Sequence, residues 1–114
     1  MSLILYGGIY LVNQYNKAIR DNVPEIIRSS GRKALITNME DIEYLSVLES
    51  KLLEEYNEYL EEHNIDELVD MLEIIYRIAE LKGCSKTKLE KMRLEKRTEI
   101  GGFESNLYLK SIMD

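Results

Sequence analysis

The sequence predicts an all-α protein, a helical hairpin with flanking helices forming a bundle that is completed by oligomerisation. Apolar residues recur at three- and four-residue spacing through residues 45–59 and again through residues 65–81. Cap-type residues stand where these patterns begin, and glycines stand where the later ones stop. The composition is 45% hydrophobic and 32% charged with a single proline, which belongs to an ordered helical chain rather than a disordered one.

The elements follow in order. Residues 15–31, YNKAIRDNVPEIIRSSG, read as a charged leading segment and a short helix, with Asn22 as N-cap, Pro24 in the first turn and Gly31 closing it. Residues 32–37 connect. A longer helix is expected from Asn38 to about Glu62, with Asp41 at a weak capping-box position and Leu45, Leu48, Leu52, Tyr56 and Tyr59 on one arc. Asn64 then caps a second helix, with Glu67 at its capping-box position and Gly83 as its stop. Ser85 caps a last helix that ends at Gly101-Gly102, and the last dozen residues form a tail whose structure the pattern leaves open.

At 114 residues the chain is one domain of limited core area. Residues 15–114 form it, and residues 1–14 are an extension. Gly7-Gly8 between LILY and IYLV suits a two-residue hairpin turn, with a disordered extension as the alternative. That apolar stretch is too short to span a bilayer, and Lys17 and Arg20 follow it instead of preceding it as in a signal peptide. The net charge of −6 argues against a general nucleic-acid surface. The single cysteine, Cys84, cannot form an internal disulfide and is expected as a buried thiol in a reducing, cytoplasmic setting. Small size and the hairpin's spare apolar positions point to a homodimer or higher homo-oligomer, with no membrane partner.

Between Lys51 and Arg77 lie nine carboxylates and no Lys or Arg. Acids three or four apart on a helix repel unless something offsets them, and Mg²⁺ is the hard cation that carboxylates and phosphates commonly hold together. At about 100° per residue, Glu55 falls at the edge of the first hairpin helix's packing arc and Glu58 one step outside it, whereas Glu54 and Glu61 project to the solvated side. On the second helix Glu67 lies inside the arc of Met71, Ile74 and Ile78, with Asp70 at its border. Asp66, Glu73 and Glu80 are on the wet side with Arg77. The pairs Glu55/Glu58 and Glu67/Asp70 lie at similar distances from the turn at His63, so antiparallel packing sets them at similar height. Convergent, partly buried carboxylates need a proton or a cation. The alternative is that Glu67 only completes a capping box while Glu55 and Glu58 belong to a solvated face.

The stretch KLLEEYNEYLEEHNIDELVDMLEIIY, residues 51–76, resembles the EExxE…ExxD signature of the MazG-like all-α nucleoside triphosphate pyrophosphohydrolases. Residues 15–31 resemble the YNKLVRDKIPEII-type segment of the phosphoribosyl-ATP pyrophosphohydrolase-like branch, and LEKRTEIGGF, residues 94–103, resembles its closing basic and Gly-Gly-Phe stretch. The likeness covers about residues 15–109. It implies hydrolysis of a nucleoside triphosphate between the α and β phosphorus atoms, giving the monophosphate and pyrophosphate, with Mg²⁺ or Mn²⁺. It also implies Glu55, Glu58, Glu67 and Asp70 as metal ligands, with Glu54, Glu55 and Glu58 as the catalytic acids of the motif. Glu54 would act through water as base or supporting partner. Phosphoribosyl-ATP is the alternative substrate. Two departures stand out: Ile100 where the branch often has Arg, and Asn22 where Lys is frequent.

Lys86, Lys88, Lys91, Arg93, Lys96 and Arg97 make the last helix the most basic element. Most of these suit a solvated face that pairs with the acidic hairpin. Lys17, Arg20 and Arg97, which fall in the family-like segments, are the residues expected to grip the triphosphate, with Asp21 orienting Arg20. His63 is expected at the surface, and Tyr56, Tyr59 and Tyr76 as core or interface aromatics rather than base-stacking groups. Phe103 is expected to fold against the bundle. From a different class, a non-catalytic helical interaction module with an acidic face also fits the composition.

Overall fold

The computed structural model describes residues 2–6 and 10–114, with side chains from residue 14 onward. An antiparallel ribbon comes first: β1 (Ser2–Tyr6) pairs with β2 (Tyr10–Gln14), with Ser2 opposite Gln14 and Tyr6 opposite Tyr10. The hairpin expected here is therefore present, and its expected Gly7-Gly8 turn lies outside the described residues. The rest is helical, and the helices carry the packed core.

Helix α1 (Val23–Ser29) follows Asn22, whose side chain makes no capping hydrogen bond. Pro24 supplies the start instead, because its fixed φ suits the first turn. Helix α2 (Asp41–Glu62) begins later than the expected Asn38, with Glu40 as an extended N-cap that makes no side-chain bond. Asp41 and Glu43 in its first turn complement the positive end of the helix and take the place of a capping side chain.

The α2 helix stops at His63, which adopts φ 53° and donates its N–H to the Tyr59 carbonyl at 2.7 Å. Helix α3 (Ile65–Leu81) starts at once, its N-cap Asn64 accepting from the Asp66 N–H at 3.1 Å. So short a turn folds α3 back antiparallel along α2. The expected capping box is not completed: the Glu67 carboxylate turns into the interface between the helices rather than back to the cap. Ser85 caps α4 (Lys86–Ile100) through the Lys88 N–H at 3.1 Å. Tyr76 on α3 and Glu90 on α4 join the two helices by a hydrogen bond of 3.1 Å, and the Lys86 ammonium lies 4.6 Å from the centre of the Tyr76 ring.

The core sits where the leading segment crosses the hairpin. Ala18, Leu48 and Ile74 are its buried apolar residues among those described, with Tyr44, Val47, Leu52, Ile78 and Leu81 packed around them. The radius of gyration is 19.6 Å, against roughly 13 Å for a compact domain of about 100 residues. The molecule is elongated, 71 × 31 × 25 Å.

Tyr56 is exposed and so lies outside the core of its own chain. Two expectations are corrected. Phe103 is 97% exposed, since no surface of its own chain reaches it. Cys84 is only partly buried, its thiol donating to the Ser85 carbonyl at 3.8 Å. Among the described residues no helix is long and apolar enough to cross a membrane.

So small a core concentrates its contribution in few residues. Ile74→Ala is expected to lower unfolding free energy by about 2–5 kcal/mol, while Ile26→Ala on exposed α1 stays within about 0.5 kcal/mol. Urea denaturation of both variants at one protein concentration measures the difference.

Candidate metal centre

The four expected ligands divide by burial as their helical positions predict. Glu55 is 8% exposed and Glu67 is 7% exposed, and these are the buried charged residues among those described. Glu58 and Asp70 are half-buried beside them. Glu67 Oε2 has no hydrogen-bond partner. A buried carboxylate oxygen left unpaired is costly, and a cation or a proton is what would relieve it.

The electrostatics tie the acids together. The Glu55 carboxyl is pushed above the usual range by burial first, then by the charges of Glu58 and Asp70. Glu62 is also raised, by hydrogen bonding to Glu67 first and then by its charge, with Glu58 and Glu61 adding smaller repulsions. The face projection assigns no role to Glu62 and so misses it. The available signal was its position as last residue of α2, directly across the two-residue turn from the first turn of α3.

The leading segment lies over this cluster. Lys17 Nζ donates to Glu54 Oε1 at 2.8 Å, and Arg20 Nη2 donates to Asp70 Oδ1 at 2.5 Å. Ala18, buried between them, seats the segment on Leu48 and Ile74. Hydrogen bonding to Glu54 and then its charge raise the Lys17 ammonium, with further contributions from Glu58 and Glu55. Glu54 is correspondingly held below the usual range by Lys17. Glu54 therefore faces the leading segment instead of projecting to open solvent, and Arg20 is oriented by Asp70 rather than by Asp21.

Arg97 lies elsewhere. It pairs with Glu104 just beyond α4, and Glu104 is held below the usual range by that bond. Gly101 turns the chain at φ 85°, and a Cβ at Gly102 would run into the Arg97 guanidinium. Other basic residues of α4 pair with acids of the same helix, Arg93 with Glu90 at 3.0 Å and Lys91 with Glu95 at 3.9 Å, instead of with the hairpin. His63 is exposed at the turn, its ring edge-on to Tyr59 at 5.5 Å.

In the described residues no group of three or more His, Cys, Asp or Glu side chains is already gathered as a metal shell. Of the four expected ligands, Asp70 is held towards the leading segment by Arg20. The donor chemistry nevertheless suits a hard cation: Glu55, Glu58, Glu67 and Asp70 offer only oxygens, and one of these is buried without a partner.

No protein-family model matches the chain, and no solved structure matches it. The chain is 48% identical over 40 residues to an uncharacterized protein of Mycolicibacterium smegmatis (strain ATCC 700084 / mc(2)155), a stretch covering 35% of this chain and 41% of that protein.

The raised Glu55 carboxyl has a definite sign. An acid that binds its proton more tightly when folded makes the folded state less stable as pH rises from the ordinary glutamate range through its folded pKa. Replacing it with a neutral amide removes that loss. Glu55→Gln is expected to melt higher than the parent at neutral pH without divalent cations, and the difference should vanish at acid pH. Thermal melts followed by circular dichroism across pH 4–8 (about one reading per half unit) report it, and a lower melting temperature for the variant at neutral pH would contradict the assignment.

Proposed function

We propose that the protein is a Mg²⁺-dependent nucleoside triphosphate pyrophosphohydrolase, cleaving the α–β phosphoanhydride to release a nucleoside monophosphate and pyrophosphate. It would work in the cytoplasm on the nucleotide pool and assemble as a homodimer or higher homo-oligomer. The single observation that carries this reading is the unpartnered Glu67 oxygen, buried on a helix packed against α2, whose Glu55 is the other buried charged residue among those described. The resemblance of residues 15–109 to MazG-like pyrophosphohydrolases, in the branch close to phosphoribosyl-ATP pyrophosphohydrolase, turns a cation site into this reaction.

In this reading Glu55, Glu58, Glu67 and Asp70 hold Mg²⁺, or Mn²⁺ in its place. The bound cation supplies neutralisation of the phosphates and activation of a water for in-line attack. The chain's own residues do the rest. Glu54 would act through water as base or supporting partner once Lys17 leaves it. Lys17 and Arg20, already beside the cluster, carry charge-assisted donors that can transfer from carboxylate to phosphate oxygens. Arg97 would reach the phosphates only by giving up Glu104. Phosphoribosyl-ATP is the alternative substrate in the same class.

One observation favours a second reading. Lys17 and Arg20 already neutralise the ends of the acidic cluster, so a non-catalytic helical module could keep this arrangement without any metal.

The two readings differ in a melt. Under the enzymatic one, Mg²⁺ at roughly a hundred times its Kd stabilises the fold by about 2.7 kcal/mol, and Glu58→Gln loses that shift. Incubation with a panel of nucleoside triphosphates and Mg²⁺, followed by product chromatography, should yield monophosphate and pyrophosphate. Glu58→Gln should slow it on the order of a hundredfold or more, the scale seen when one electrostatic stabiliser is removed. Diphosphate and orthophosphate as products would overturn the bond assignment, and no turnover of any nucleotide would leave the module.

A further inference from the structure

Residues 102–114 contain neither helix nor strand, yet Phe103, Leu107, Tyr108, Leu109, Ile112 and Met113 are all about three-quarters or more exposed. Six large apolar side chains in so short a stretch are not a solvating segment. Nor does their own chain take them: Gly101, at φ 85°, and Gly102, where a Cβ would meet the Arg97 guanidinium, lead the segment off the end of α4, and residues 91–100 are themselves exposed. The Arg97–Glu104 pair holds that departure in place.

A second uncovered surface lies on the hairpin. Leu53, Tyr56 and Leu60 of α2 form an exposed stripe beside the core-facing arc, and Leu68, Leu72 and Ile75 of α3 form another. Because the helices run antiparallel, arcs displaced in the same rotational sense from their facing arcs fall on the same side of the hairpin. The result is one continuous apolar face, and contiguous exposed apolar surface of this kind marks an interaction site.

We propose that the occupant of both surfaces is a second copy of this chain, with residues 102–114 of each copy exchanged as an arm onto the other and extending an interface begun by the hairpin face. Exchange of an identical segment between copies is a low-cost route to a symmetric dimer. The area suffices. A buried aromatic side chain removes roughly 150–250 Å², so Phe103 and Tyr108 with four aliphatic side chains approach the roughly 800 Å² per partner of a specific interface before the hairpin face is counted. The assignment also accounts for the elongated outline and small core of the single chain.

This deepens the homo-oligomer in the proposed function and is independent of the catalysis: an arm-exchanged dimer that hydrolyses nothing would keep it. Sedimentation of the full chain at micromolar concentration should show a dimer. Deleting residues 102–114, or introducing Leu107→Asp with Ile112→Asp, should weaken the dimer at least roughly tenfold. Mixing isotope-labelled with unlabelled unaltered chain should give intermolecular NOEs from the Leu107 and Ile112 methyls to helix methyls of the other copy, a readout needing no variant to fold. A monomer, an unchanged dimer after deletion, or NOEs confined within one chain would overturn the exchange.

Discussion

Two carboxylates enclosed between α2 and α3 set the terms for everything around them. Glu55 and Glu67 share the hairpin interface with Leu48 and Ile74, where an uncompensated charge is expensive. The leading segment answers part of that demand. Lys17 and Arg20 bracket the cluster, one on an α2 acid and the other on an α3 acid, and the residue between them that touches the core is an alanine. Its small side chain lets the backbone come close enough for both cations to reach. A bulky residue at position 18 would lift the segment and separate the two pairs from their acids.

Local periodicity made the burial of Glu55 and Glu67 legible, because facing positions on a straight helix follow from spacing alone. Residue type did the same for the Asn64 and Ser85 caps and for the end of α4 before Gly101. What neither could show were contacts between residues far apart in the chain. The partners Lys17 and Glu54, and Arg20 and Asp70, belong to different elements, and only the packed fold brings them together. Glu62 escaped for a related reason: a helical projection ends at the turn, and its neighbour Glu67 stands on the other side. The start of α2 was misplaced because Asn38 is a good cap in the abstract, whereas acids in the first turn sufficed here. Phe103 was misread by assuming that an apolar side chain packs on its own chain.

The thin core and the acidic cluster are connected. Facing positions given to Glu55 and Glu67 are positions denied to leucine or isoleucine, so the hairpin gives up apolar burial at its centre. Each such replacement forgoes roughly 1.5–3 kcal/mol of transfer free energy. A chain of this length has little to spare, which is why stability must be sought outside the single hairpin, in the leading segment, in the Tyr76–Glu90 junction and in surfaces still uncovered.

The strength of the two strap pairs bears on what the cluster can do. Both are about half exposed, and ion pairs of that kind contribute at most about 1 kcal/mol because water and salt screen them. They are therefore weak enough to be exchanged, while Ala18 in the core keeps the segment seated. A divalent cation on the carboxylates would compete with Lys17 and Arg20 for the same oxygens. The displaced side chains would remain charged at neutral pH and tethered by Ala18 within reach. In the proposed reaction this exchange brings cationic donors to the phosphates at the moment the metal takes the acids, so that one segment serves the cluster both before and after a nucleotide arrives. The buried Glu67 oxygen, which neither cation touches, would be the group left for a bound cation to satisfy.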